Sequence, residues 1–379
     1  MSTRVLFLAA HFISLYLTRK ELIEELTDKG YEVYLSLPES DDNKFFIDLG
    51  CKIVPIKINR RGTNPFSDFA LMLRYIKVIK QVDPDIILSY EIKPNIYGAM
   101  ANRFLKKPGT GQKYRQVCNI TGTGAVFLED DITAKLCRTL YRHSIKKAYL
   151  VFFQNTSDME YFIKNKMVED NVGLLPGSGV NLHQFTPSPL PDDTHVKFIF
   201  IARVTGVKGL NEYLRAASSI KKDRPDVTFY IAGFCEEEYY LRLTEEYEDR
   251  GVVEYLGFRK DINKIISENH CIVLPSHGGE GVPNVILEAS AMTRPCIGSA
   301  VPGTIDAIKD GVTGYLFEAR SAEDLERVMR KFLDLTYEEK VKMGLAGRER
   351  VERIFDRNFV IEKYMKEIES CKSGSEGLS

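Results

Sequence analysis

Clustered metal-binding residues are missing from this chain of 379 residues. Its seven cysteines (Cys51, Cys118, Cys137, Cys235, Cys271, Cys296 and Cys371) are scattered without a close pair, and its six histidines are equally dispersed. That excludes a zinc cluster and a disulfide framework, and it fits a reducing cytosol. A membrane-spanning run is missing too. The stretch VLFLAAHFISLYLT between Arg4 and Arg19 has no fixed charge, yet it is too short to cross a bilayer. No small-residue cleavage site precedes the helix-then-strand pattern RKELIEELTDKGYEV, so the stretch predicts a buried first strand in a soluble or peripheral chain. Nor does a Gly-x-Gly-x-x-Gly loop follow that strand, which argues against an NAD-dependent oxidoreductase.

What is present is a globular balance, 44% hydrophobic and 28% charged residues, in a length that suits two or three domains. The net charge of −1 hides an asymmetry: residues 1–185 carry 25 Lys/Arg against 20 Asp/Glu, and the remainder 27 against 33. An excess this small is compatible with an anionic partner such as lipid headgroups or a diphosphate, and equally with a solvated surface. No nucleic-acid partner is expected.

Short apolar strands alternate with helical stretches throughout, the first helix over 18–29, and the rhythm restarts at KFIFIARV after the Pro- and Asp-rich segment that begins at Pro176. The pattern predicts an α/β chain of two Rossmann-like, doubly wound domains facing across a cleft: 1–185, 186–352, and a C-terminal helix within 353–379 that crosses back and ends in a flexible tail. In such sheets ligands sit beyond the carboxyl ends of strands where the winding direction switches.

Two motifs follow strands in the second half. After KFIFIARV comes TGVKG, which sets Arg203 and Lys208 before a helix start at Gly209. An arginine fork, a lysine and free helix amides suit a diphosphate, although surface cations flanking a turn would read the same way. After CIVLPS comes HGGEGVPNVILEAS, with Glu280 in a glycine-rich loop and Glu288 in a helix. Eight helical steps would rise about 12 Å, whereas paired glycosidase carboxylates lie about 5–9.5 Å apart. The glutamates therefore suit the two ends of an extended ligand better than shared acid/base work at one atom.

ARVTGVKG, EGVPNVILE and VPGTIDAIKDGVTGYLF together resemble the donor-binding domain of retaining glycosyltransferases of family 4, which have the GT-B fold, and the resemblance covers nearly the whole chain. It implies a UDP-sugar site. Arg203 and Lys208 match the diphosphate ligands that stabilise the departing nucleotide, Glu280 the glutamate at the donor sugar, and Glu288 the one at the ribose hydroxyls. The backbone of Gly281, Val282, Pro283 and Asn284 would lie along sugar and phosphates, and Gly257, Phe258 and Arg259 pass the nucleobase, mostly by backbone. Glu280, Arg203 and Lys208 are the implied catalytic set. GSGVNLHQF resembles a junction signature with Asn181 in place of an aspartate, and reads as structural.

YEIKPNIYGAMA and NITGTGAVF are similar to enzymes of capsule, lipopolysaccharide and N-glycan assembly, including N-acetylgalactosaminyltransferases acting on undecaprenyl-diphosphate-linked sugars. This implies acceptor-side roles for Lys93, Thr121, Gly122, Thr123 and Gly124, with His11 as a further candidate. The implied substrates are a UDP-sugar and a lipid-linked saccharide, met at the inner face of the cell membrane. Many family members place a histidine near Tyr90 to Ile92, where this chain has SYEIKP. With no Asp-x-Asp motif near either cleft segment, no metal and no cofactor are expected. Phe66, Phe69, Leu73 and Ile76 recur at helical spacing beside Arg60, Arg61, Lys77 and Lys80, and Lys135, Arg138, Arg142, Lys146 and Lys147 lie in a second stretch. That mixture suits peripheral membrane binding or, for the apolar stripe, a core. Rival readings are a sucrose-type synthase with a soluble acceptor and a non-catalytic nucleotide-sugar-binding module.

Overall fold

The computed structural model describes residues 2–376, apart from 61, 63, 110, 112, 125, 126, 129 and 130. The chain forms two compact units, Met1–Ser178 with Phe359–Ser379, and Gly179–Asn358. The first holds a seven-stranded parallel sheet: β1 (Arg4–Leu8), β2 (Glu32–Leu37), β3 (Lys52–Pro55), β4 (Ile86–Tyr90), β5 (Arg115–Ile120), β6 (Leu150–Phe153) and β7 (Val172–Leu174), in the order β3-β2-β1-β4-β5-β6-β7. The second holds six: β8 (Lys197–Ile201), β9 (Thr228–Ala232), β10 (Glu254–Tyr255), β11 (Cys271–Leu274), β12 (Cys296–Ser299) and β13 (Gly314–Phe317), in the order β10-β9-β8-β11-β12-β13. Each sheet starts at its middle strand, winds one way, then returns and winds the other. The switch falls between β1 and β4 in one unit and between β8 and β11 in the other.

Successive residues of a strand face opposite sides, so a central strand covered on both faces must be apolar throughout. In β8, Phe198 and Phe200 enter one core with Leu210, Tyr213 and Phe332, while Ile199 enters the other with Ile286 and Leu287. In β1, Val5 and Phe7 face Leu22 and Ile23, whereas Leu6 and Leu8 face Leu71, Tyr75 and Ile79.

The first helix runs Phe12–Asp28, six residues ahead of the expected start at 18. His11 is the cause. Its Nδ1 accepts the Ser14 backbone N–H at 2.9 Å and caps the helix, so the uncharged stretch read as one strand divides into a strand and a helical turn.

The first unit also ends earlier than expected, at Ser178 rather than 185. Val180 and Phe185 are buried in a core of the second unit, and Val180 pairs in a parallel bridge with Asp356. For the same reason residues 353–358 stay with the second unit, and the chain returns to the first at Phe359. Here the helix Arg357–Glu376 packs Val360, Tyr364, Met365 and Ile368 against the β1 face. The expected tail beyond Glu376 lies outside the described residues.

The Pro- and Asp-rich segment is firmly held. Arg294, fully buried, donates to the carbonyls of Ser188 (2.9 Å) and Pro189 (2.7 Å), the His270 ring binds the Asp192 carbonyl at 2.9 Å, and Lys340 pairs with Asp193 at 2.8 Å. Low-complexity composition therefore does not mark a loose tether here.

Arg19 is 1% exposed and sits 5.1 Å from the ring centre of Tyr90 and 5.2 Å from that of Tyr364. A buried guanidinium between two rings joins the first helix, β4 and the returning helix. Arg19→Ala should lower stability by about 3 kcal/mol, since it removes both ring contacts and leaves a cavity. Hydrogen exchange should then show protection lost first in Arg357–Glu376 and Phe12–Asp28.

Candidate active site

Both motifs of the second unit lie at the switch between β8 and β11. The loop after β8 ends in a short 3-10 turn, Gly206–Lys208, and Gly209 at φ 79° leads into the helix Leu210–Lys221. A Cβ at Gly209 would stand 1.9 Å from the Pro275 carbonyl oxygen just past β11. Only glycine lets these two loops touch, and that contact places Lys208 beside the second motif. The loop after β11 reaches Pro283, which precedes the helix Asn284–Ala291.

Within this frame Lys208 forms an ion pair with Glu280, whose Oε1 also accepts a hydrogen bond from the Ser276 hydroxyl at 3.1 Å. Burial, then the neighbouring Arg203, bring the Lys208 amine down to about 8, so a proton there is held weakly unless an anion offsets the charge. Arg203 is exposed and makes no ion pair or hydrogen bond among the described residues. Glu288 is half-buried in the helix Asn284–Ala291. Loss of solvent pushes its carboxyl up to about 7, with Arg357 acting in the opposite sense. Such a group is partly protonated near neutrality and can both accept from and donate to hydroxyls.

Gly281, Val282 and Pro283 are buried and Asn284 is half-buried. The backbone of Gly281 is pressed from outside the motif: a Cβ at Gly303, φ 81°, would lie 1.5 Å from the Gly281 carbonyl oxygen. Gly257 follows β10, and its carbonyl accepts the Gly233 N–H at 2.9 Å. Arg259 is engaged in a two-pronged pair with Asp261, at 2.8 and 2.6 Å, which leaves the backbone and the exposed Phe258 as the free surface of that turn. The structure thus brings Arg203, Lys208 and Glu280 together and holds the Arg259 side chain in a local pair.

Four residues had no role in the sequence reading. Ser276 orients Glu280, and Gly303 packs on Gly281. His277, inside the quoted motif, contacts Glu212 at 3.1 Å. His277 and Ser276 were visible as polar residues directly after a buried strand. Gly303 stands inside VPGTIDAIKDGVTGYLF with no role read for it, and Glu212 carries no local signal, because both roles depend on chain distant in sequence.

In the first unit the acceptor-side candidates follow adjacent strands. His11 follows β1, Lys93 lies in the helix Ile92–Arg103 after β4, and Thr121, Gly122, Thr123 and Gly124 follow β5. Lys93 is not available as a free cation: its ammonium donates to Asp68 and to the Gly62 carbonyl, both at 2.6 Å, and so ties the loop before the helix Pro65–Val82 to its neighbour. Thr121 is exposed, and Gly124, φ 78°, rests near Ile92. A residue not singled out, Glu91, meets His11 at 3.2 Å. Its signal was its place, a carboxylate directly after the fully buried strand β4.

Among the described residues no group of three or more His, Cys, Asp or Glu could hold a metal ion, and no helix is long and apolar enough to cross a membrane. Asn181 accepts the backbone N–H groups of His183 and Gln184, both at 3.0 Å, and shapes the turn that leads to Phe185. Gly209→Ala should destabilise the second unit by about 2–4 kcal/mol, through the clash with Pro275 and a backbone angle that alanine resists. Urea unfolding followed by tyrosine fluorescence measures it.

Comparison with known proteins places this arrangement. Residues 184–350 match the family of group 1 glycosyl transferases, and residues 4–155 the glycosyl transferase 4-like family. The chain is 27% identical, over 96% of its own length and 97% of the relative's, to the N,N'-diacetylbacillosaminyl-diphospho-undecaprenol alpha-1,3-N-acetylgalactosaminyltransferase of Campylobacter jejuni. Its fold is shared with the HepE protein of Anabaena, solved with UDP and glucose (TM-score 0.78, 16% identity, 97% of this chain and 100% of that one). It is shared too with the sucrose-phosphate synthase of Thermosynechococcus elongatus (TM-score 0.79, 17% identity, 98% and 100%). With its cation pair and paired glutamate at the switch of a second Rossmann-like sheet, this chain belongs to the group 1, family 4-like glycosyltransferases of GT-B fold.

Proposed function

We propose that the protein is a retaining transferase that moves N-acetylgalactosamine, or a related hexose or N-acetylhexosamine, from a UDP-sugar to a polyprenyl-diphosphate-linked glycan. The observation that carries the reading is the Arg203, Lys208 and Glu280 cluster. It occurs in a chain related over nearly its full length to an enzyme named for transfer to a diphospho-undecaprenol sugar.

The donor chemistry follows from the cluster. A diphosphate placed between Arg203 and Lys208 replaces Glu280 as the counter-charge of Lys208 and frees that carboxylate for the hydroxyls of the donor sugar. Glu288, partly protonated near pH 7, suits the ribose diol. As the bond from the anomeric carbon to UDP breaks, negative charge grows on the phosphate oxygens, and the two fixed cations stabilise it more than they stabilise the intact donor. The acceptor hydroxyl then attacks from the face that UDP leaves and gives its proton to the departing phosphate. This route asks for no metal, because Arg203 and Lys208 supply the positive charge.

The first unit suits a lipid surface. Phe66 (85% exposed), Phe69 and Leu73 form one stripe of the helix Pro65–Val82, while Ile76 turns inward to the core. Ile132 (84% exposed) and Leu136 stand out from the helix Ile132–Ser144. Both helices pack on Ile92–Arg103. Lys77 and Lys80 stay exposed beside the first stripe, whereas Arg138 and Arg142 bind Tyr161 and the Asn165 carbonyl; Arg61 lies outside the described residues. Apolar rings flanked by cations fit the interface of an anionic bilayer at the inner face of the cell membrane. The sucrose-phosphate synthase likeness favours a second reading, a soluble sugar-phosphate acceptor.

Turnover with detergent-solubilised polyprenyl-diphosphate sugar but not with sugar phosphates is the expected outcome, and the reverse preference overturns the lipid-linked assignment. Lys208→Ala and Glu280→Ala should each lower transfer about 100-fold or more. A module that only binds UDP would show no turnover to lose. Lys208 carries its charge below about 8 and loses it above, so UDP affinity measured by calorimetry should fall as pH rises through that value. The fall should be absent in Lys208→Met. Replacing Phe66 and Phe69 by serine should weaken binding to phosphatidylglycerol vesicles at least about tenfold in a sedimentation assay.

A further inference from the structure

Glu91 adopts a backbone conformation that few side chains occupy. It leaves β4 with φ 70° and ψ 165°, a region populated almost only by glycine. The side chain makes no capping hydrogen bond to its own helix, Ile92–Arg103. A glycine would follow the same path without strain, so the reason for a glutamate lies in where its carboxylate goes.

That carboxylate is held from several directions. Its Oε2 accepts the Ala10 backbone N–H at 2.7 Å, its Oε1 lies 3.2 Å from His11 Nε2, and Ser14 adds a side-chain hydrogen bond. The protonation of His11 follows from its partners. Nδ1 accepts the Ser14 backbone N–H, so in the neutral ring Nε2 carries the proton, 3.2 Å from Glu91 Oε1. Both ring nitrogens are then occupied, and burial together with Arg60 holds the imidazole down to about 4, in its neutral form. His11 has no lone pair left for a substrate. The carboxylate has: each oxygen carries a further acceptor position, and 24% of the side chain is exposed. The pair stands at the carboxyl ends of β1 and β4, where the first sheet reverses its winding.

We propose that Glu91 accepts the hydrogen bond of the attacking hydroxyl of the acceptor saccharide, and that His11 is a positioning residue that fixes the carboxylate for it. The proposal rests on the glycosyltransfer reading above and adds a residue to it. Glu91 holds the hydroxyl before reaction and takes no proton. As the bond to the UDP phosphate breaks and charge grows there, the hydroxyl turns its hydrogen from Glu91 to the phosphate oxygen, which takes the proton while the new bond forms from the hydroxyl oxygen to the anomeric carbon. Burial raises the Glu91 carboxyl above the usual carboxylate range, opposed first by the Ala10 N–H, then by Ser14 and by the exposed Arg60, which also acts electrostatically on His11.

The test uses the full chain with UDP-N-acetylgalactosamine and an undecaprenyl-diphosphate-linked N-acetylhexosamine in detergent. Glu91→Gln should lower kcat/KM for the acceptor about 10- to 100-fold, the range for a hydrogen bond to a charged group. UDP affinity by calorimetry should stay at the wild-type value. Glu91→Gly should lose transfer at least as strongly while its thermal midpoint holds or rises, because the strained angle is relieved. His11→Asn, which keeps an acceptor to cap the helix, should show the weaker loss in kcat rather than in acceptor KM. Transfer by Glu91→Gln within about twofold of wild type, or a thermal midpoint that drops in Glu91→Gly with transfer retained, overturns the proposal and leaves the glycosyltransfer reading intact. Absence of turnover by the wild type with every UDP-sugar overturns both.

Discussion

The parallel pairing of a strand with one that follows it at a distance, β1 with β4 and β8 with β11, is the constraint on which everything else here depends. Parallel strands end together at the same sheet edge, so loops separated by about 70 to 80 residues, a span set by the crossover between them, are delivered side by side. In the second unit this brings Lys208 to Glu280. In the first it brings Ala10 and His11 to Glu91. Neither pair has a local origin, and each exists only while its sheet is intact.

Close approach then turns proximity into geometry. Gly209 against Pro275 and Gly303 against Gly281 remove the side-chain thickness that would otherwise separate neighbouring loops. Ser276 and His277, just past β11, fix the loop from the inside through Glu280, Glu212 and the Val207 carbonyl. What results is a partly desolvated cation facing a carboxylate. The preorganisation lies in backbone contacts, so the ionic groups themselves need few direct supports.

Much of this was legible in the sequence. Alternation of strands and helices gave the two sheets, and the setting of each motif after a strand put Arg203, Lys208 and Glu280 at one edge. The rest was hidden for physical reasons. His11 read as a packed or acceptor-side residue because helix capping by an imidazole has no strong pattern, and its use as a cap moved the first helix forward. Lys93 read as an acceptor-side residue, and its pairing with Asp68, 25 residues away, left no local trace. The boundary was misplaced because composition marks prolines and glycines, whereas the unit to which Val180 and Phe185 belong is decided by the core they enter. Glu91 escaped notice since a backbone angle is invisible in a letter code.

The returning helix Arg357–Glu376 has a consequence for the way the protein is made. The β1 core of the first unit is completed by Val360, Tyr364, Met365 and Ile368, residues translated only after all of Gly179–Asn358. At about 5–20 residues per second, synthesis of that intervening stretch lasts roughly 10–40 s. For that interval the first sheet waits on the ribosome with part of one apolar face uncovered and Arg19 without its second ring, while the continuous second unit has every residue it needs as soon as the interval ends. The domain encoded first is therefore the one finished last.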